Sequence, residues 1–175
     1  MSKTTIPTGG ITDATIATAD IAADAITGAK IADSAVTIAK ASGFGKVGQV
    51  VESTSIDTTA ITSTSFSDID LNVTITPTAT SSKVLIMIDF AYTQDGADNN
   101  LAYIQILRDA TAIGNHHVGY DNPGGNVGFG CHIQKLDSPS STSAVTYKTQ
   151  AKTQNASSQF RPVGAASIIA IEILA

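Results

Sequence analysis

The side chains with the most chemical range in this sequence are His116, His117, Cys131 and His132. Imidazoles and a thiol are what a zinc centre or a nucleophilic site would use. Their spacing favours neither. Neighbours in a strand point to opposite faces, so His116 and His117 cannot share an ion within one chain. A three-fold axis could gather one imidazole from each copy, but a polar loop is the simpler reading of the pair. Cys131 is the single cysteine. That rules out an intrachain disulfide and a thiolate cluster, and leaves a small apolar side chain in a strand. Asp95, Asp98, Asn99 and Asn100 lack the spacing of a calcium loop and read as a hairpin tip. Glu52 and Glu172 are the only glutamates and lie far apart in sequence, which gives no support to paired-carboxylate hydrolysis. No Gly-x-Ser-x-Gly elbow occurs. Gly43-x-Gly45-x-x-Gly48 has the letters of a dinucleotide loop, yet a strand, VGQVVE, follows it instead of a helix. The expectation is a protein with no catalytic residue, no metal and no cofactor.

Binding is the chemistry that remains. Residues 114–126, GNHHVGYDNPGGN, form the longest irregular stretch and carry His116, His117, Tyr120, Asp121 and Asn122. Planar rings beside amide and carboxylate groups suit saccharide hydroxyls, so these five are the candidate receptor-binding residues. A plain structural loop, or a loop buried between subunits, would use the same residues.

Two kinds of element must position that loop. The first is a repeat. Ile6, Ile11, Ile16, Ile21, Ile26, Ile31 and Val36 stand five positions apart, separated almost wholly by Ala, Thr, Gly, Asp, Ser and Lys. On a helix a five-residue step turns by about 140°, which scatters the isoleucines around the cylinder. The period matches neither a heptad nor an eleven-residue repeat. A flat strand fails too, because an odd step alternates faces. A ten-residue unit with two extended pieces and two bends keeps every isoleucine on one side, and Gly9, Gly10, Asp13, Asp24, Gly28 and Asp33 suit the bends. A single-chain pentapeptide solenoid would complete fewer than two coils, too few to stack. An intertwined trimeric β-fibre, with one isoleucine per chain meeting on the axis in each layer, is the favoured arrangement. These seven side chains form its expected core, and burying them does not by itself cover the cost of ordering the segment. A downstream domain must hold the copies together.

The second element begins where the period switches to two. Ile69, Leu71, Val73 and Ile75 alternate with polar residues; Val84, Ile86, Ile88, Phe90 and Tyr92 share one face of the next run. Leu101, Tyr103 and Gln105, against Ala102, Ile104 and Ile106, form a third run, apolar on both sides; Val127, Phe129, Cys131 and Ile133 make a fourth, and Val145, Tyr147 and Thr149 a fifth. Turn clusters separate them at residues 77–82, 95–100, 109–111 and 138–141. About eight strands predict an antiparallel sandwich, jelly-roll-like. The last strand, AASIIAIEILA, is apolar on both faces apart from Glu172, so it belongs at the centre of a sheet or in a subunit interface. The expected organisation is an attachment segment at 1–10, a repeat shaft at 11–42, a flexible neck at 43–49 and a β-sandwich head at 50–175, all-β throughout.

Composition narrows the partners. Charged residues make up 14% of the chain and the net charge is −5, which argues against nucleic acid. No basic amphipathic stretch suggests a membrane surface. The longest strongly apolar run, Val84 to Ile88, is too short to span a bilayer, and MSKTTIPTGG lacks an apolar core of signal-peptide length. Synthesis in the cytoplasm without membrane insertion is expected.

The segments IPTGGITDATI and DAITGAKIADSAVTIAK resemble the N-terminal repeats of tail-fibre and virion structural proteins of tailed bacteriophages. SSKVLIMIDF, ILRDATAIG and DSPSSTSAVTYKTQA resemble the small β-sandwich domains that follow such repeats. The resemblance implies a homotrimer assembled in the host cytoplasm and located in the virion. Its N-terminus would dock on another virion protein, of tail or capsid, and its head would face outward to adhere to the host surface, where glycan is one possible ligand. A head fibre or capsid decoration protein is an equal rival. The resemblance carries over no catalytic residue.

Overall fold

The computed structural model describes residues 17, 19, 21–23, 25–32, 35, 46–95, 101–119 and 127–174. The chain divides into two units, Met1–Phe44 and Gly45–Ala175.

The second unit is all-β. Its strands are β1 (Lys46–Ser53), β2 (Ser67–Ile75), β3 (Lys83–Asp95), β4 (Ala102–Arg108), β5 (Thr111–Val118), β6 (Val127–Asp137), β7 (Val145–Thr153) and β8 (Gln159–Leu174). They form two four-stranded sheets, ordered β1-β8-β3-β6 and β2-β7-β4-β5. Every pairing is antiparallel: β1 with β8, β2 with β7, β3 with β6 and with β8, β4 with β5 and with β7. Strands 1–8, 2–7, 3–6 and 4–5 thus pair as nested partners. A long hairpin rolled up on itself gives this order, the winding of a jelly roll.

The alternation expected from sequence decides which side chains meet. Ile86, Ile88 and Phe90 of β3 and Ile168 of β8 pack against Leu71 of β2, Ile104 and Ile106 of β4 and Tyr147 of β7, all essentially without solvent contact. At one end the core is aromatic. Tyr92 stacks on Phe160 at 4.9 Å and on Phe129 at 5.5 Å between ring centres.

Two polar clusters sit at the margins of this apolar interior. Arg108 of β4 donates from Nη1 to both carboxylate oxygens of Asp137 on β6, at 3.1 and 2.8 Å. Tyr147 of β7 donates its hydroxyl to the same carboxylate at 2.8 Å, so Asp137 ties one sheet to the other. Glu172 of β8 points inward and is fully buried. Its carboxylate accepts from Gln49 Nε2 at 2.9 Å, from the Thr78 amide at 2.6 Å and from the Thr78 hydroxyl at 2.8 Å. Burial raises its pKa, but the donors from Gln49, Thr78 and Ser82 together outweigh burial and bring it down to about 2. Gly48 leaves room for this carboxylate, since a Cβ there would lie 2.8 Å from Glu172 Oε2. The third glycine of the dinucleotide-like motif therefore serves packing.

Two expectations change, and for the last strand one of the two expected placements is observed. Residues 46–49, expected in a flexible neck, belong to β1, which pairs with β8 from Lys46 onward. Residues 114–118, expected in an irregular loop, belong to β5 and pair with β4. The last strand is central, lying between β1 and β3.

In the first unit, Ile6, Ile11, Ile16 and Val36 lie outside the described residues. The described part contains a 3-10 turn, Gly28–Lys30, flanked by extended Thr27 and Ile31. One copy alone shows bends and extended residues, with no strand among the described residues.

Candidate functional site

Two surfaces carry the residues singled out from sequence. The first is a cleft between β5 and β6. Each is the outer strand of its sheet, so they face each other along one side of the sandwich. The cleft measures about 320 Å³ and is bordered by Tyr92, His116, His117, Phe129, Cys131 and His132, with Gly119 at its edge. Gly119 is needed there. Its φ is +75°, and a Cβ would meet Tyr92 Oη at 2.6 Å.

His116 and His117 alternate on β5 as strand geometry requires, yet both reach the cleft. His116 is half-buried and its Nε2 has no hydrogen-bond partner. His117 is exposed and sets its ring edge-on to Tyr103 of β4, at 4.7 Å. Tyr120, Asp121 and Asn122 lie outside the described residues.

His132 is the cleft residue whose role sequence reasoning missed. It pairs with Asp89 across β6 and β3. Its Nδ1 lies 3.3 Å from Asp89 Oδ2, and its Nε2 lies 3.0 Å from Gln134 Nε2. The sequence signal was the shared outward parity of Asp89 and His132 on strands that pair.

The floor of the cleft is chemically quiet. Cys131 is buried, and burial, with a smaller contribution from Asp89, pushes its thiol up to about 12. Burial, helped by Cys131, also raises the Tyr92 phenol well above its usual range. Neither supplies a thiolate or a phenolate at neutral pH. Among the described residues no three His, Cys, Asp or Glu side chains converge to hold a metal ion. What the cleft exposes is the imidazoles of His117 and His132 and the outer edges of β5 and β6.

The second surface is the repeat. Ala25 N donates to Ala22 O at 3.0 Å, Lys30 N to Thr27 O at 2.9 Å and Ala35 N to Ala32 O at 3.0 Å. Each turn begins on the residue after an isoleucine, namely Ile21, Ile26 and Ile31. The five-residue period is therefore present in the backbone as one tight turn per unit. The isoleucines themselves stay 44%, 57% and 41% exposed.

No family model matches the chain, and no curated protein matches it. Among solved structures, one similar chain comes from the infectious bursal disease virus Gx strain. It is 16% identical, with a TM-score of 0.37 over 71% of this chain and 32% of that one. A chain from the Gt strain of the same virus is 10% identical, with a TM-score of 0.34 over 75% and 38%. This chain spans about a third of the length of those chains. Likeness of this degree assigns no function.

Proposed function

We propose that the protein is a structural component of a tailed-bacteriophage virion: a homotrimeric fibre held to the particle by residues 1–10, with the sandwich facing outward for host-surface adhesion. The observation that carries this reading is the repeat. A turn after each of the described isoleucines, Ile21, Ile26 and Ile31, with all three left exposed at a fixed spacing, is a surface complete only when further copies cover it. Small residues between the layers let three backbones approach closely. The β5–β6 cleft, with the exposed imidazoles of His117 and His132 at its border, is the adhesive part of the head, and saccharide hydroxyls are its ligand class.

Sedimentation velocity of the full chain tests the assembly. A trimer is expected, and a stable lone protomer would overturn the reading. Particles made without residues 46–175 test the role. Intact particles that fail to adsorb support the fibre, whereas fragile shells would replace it with a capsid decoration protein.

A further inference from the structure

The two sheets turn very different faces outward. The second sheet presents Tyr103, Gln105, Lys148, Gln150 and Lys152, and it is laced by side-chain bonds. Asp68 accepts from Lys148 at 3.1 Å and from Gln150 at 2.8 Å, and Lys152 Nζ lies 5.0 Å from the ring centres of both Phe66 and Tyr103. That is an ordinary wet surface.

The first sheet is the reverse. Val50 pairs with Ile171, Ile171 with Leu85 and Leu85 with Leu136, so one row of aliphatic side chains crosses all four strands. Their inward neighbours Val84, Ile86, Ala170 and Ile133 are buried, which places this row on the opposite, outward face. The row on one side pairs Val47 with Ile173, and the row on the other pairs Ile169 with Met87. Polar residues close the patch: Lys83 at one end, and Glu52, Asp89 and His132 at the other. With strands about 4.8 Å apart and rows about 6.8 Å apart, the eight apolar positions cover about 260 Å². Its size alone is ordinary for a single chain, and its weight comes from the aliphatic row running unbroken across all four strands.

We infer that the outward face of the β1-β8-β3-β6 sheet is where copies of this chain meet in the head, an inference that rests on the trimeric reading above. A second copy is the occupant for three reasons. Among the described residues, the exposed large hydrophobics fall in two places only: Ile21, Ile26 and Ile31 of the repeat, and Val47, Val50 and Leu136 of this face. The edge strand β1 follows the repeat directly in sequence, so copies gathered by one surface are held at high effective concentration for the other. The rim carries both signs of charge, Lys83 against Glu52 and Asp89, with no single-sign field to select an oppositely charged partner. About 260 Å² is a third of what one partner gives to a standard interface, so the patch supplies the apolar centre and the polar residues around it supply the remainder.

The test labels a thiol on this face in the full chain. Cys131 is buried and its thiol is silent, so a maleimide reports only the thiol of a Leu136→Cys variant. An Asn115→Cys variant places the same group on the exposed edge of the second sheet as the control. In the trimer the first is expected to react about tenfold or more slowly than the control. Equal rates in protein that sediments as a trimer overturn this interface and leave the fibre reading standing. A lone protomer overturns the fibre reading itself. A Val50→Lys/Leu136→Lys variant gives a second measurement: its dissociation midpoint should rise by about a hundredfold or more. An unchanged midpoint in a folded variant overturns the interface; where that variant does not fold, the labelling rates decide.

Discussion

Replacing Glu172 by Gln tests the least expected part of the fold, a buried ionised carboxylate in an otherwise apolar strand. The folded-state pKa is about 2 against an ordinary value of 4.5. A depressed pKa means the native state favours the charged form. The contribution to stability is therefore fully present above pH 4.5, declines as pH falls, and is gone near pH 2. The difference corresponds to about 3 kcal/mol at neutral pH. This is an upper figure, because full burial charges the ionised carboxylate a desolvation cost that offsets part of the gain. Gln keeps the shape but brings an NH2 group toward Gln49 and Thr78, which themselves donate. The expected loss at neutral pH is about 2–3 kcal/mol, or a fall in melting temperature of roughly 10 °C for a domain of this size. Thermal melts of wild type and variant across the acid range read both parts at once. Other carboxylates titrate in the same range, so the difference between the two curves isolates Glu172. A variant that melts with wild type at neutral pH, or that keeps the wild-type acid slope, would falsify the reasoning.

Two further outcomes follow from close packing around the cleft. Gly119→Ala combines a positive φ with a Cβ at 2.6 Å from Tyr92 Oη, so it should cost about 1–3 kcal/mol in a denaturant titration. Cys131 should resist thiol reagents in the native protein at neutral pH and react freely once the chain is unfolded, because its thiol is held at about 12 by burial. Rapid native-state labelling would mean that β6 opens locally.

The inward half of the sandwich was legible because each strand writes it twice, once as alternation and once as a flanking turn cluster. Ile86, Ile88 and Phe90, and Ile104 and Ile106, are buried as their parity requires. β5 was not legible. Thr111-Ala-Ile-Gly-Asn-His-His-Val has an aliphatic only at Ile113 and Val118, since an edge strand with a half-exposed face needs little more. The candidate receptor loop was consequently drawn too long. His116 and His117 are held by strand pairing, and their companions come from other strands, Tyr92 from β3 and Phe129 and His132 from β6, which belong to the opposite sheet. The role of Gly48 was hidden for the same reason, because the carboxylate it accommodates arrives from the far end of the chain. The apolar outer face was half visible. The last strand announced itself as apolar on both sides, but its alignment with Val50, Leu85 and Leu136 depends on register, which sequence parity alone does not fix.

The nested pairing also sets the order of events at the ribosome. Lys46 hydrogen-bonds in register with Leu174, so the strand made first in the head must wait for the strand made last. Until then β1 and β3 both lack β8, the neighbour that lies between them. Closure of such distant segments is slow, and the waiting chain is prone to stray pairing with others emerging nearby. Where several copies are translated together, the same delay gives nascent chains time to find one another before each head seals.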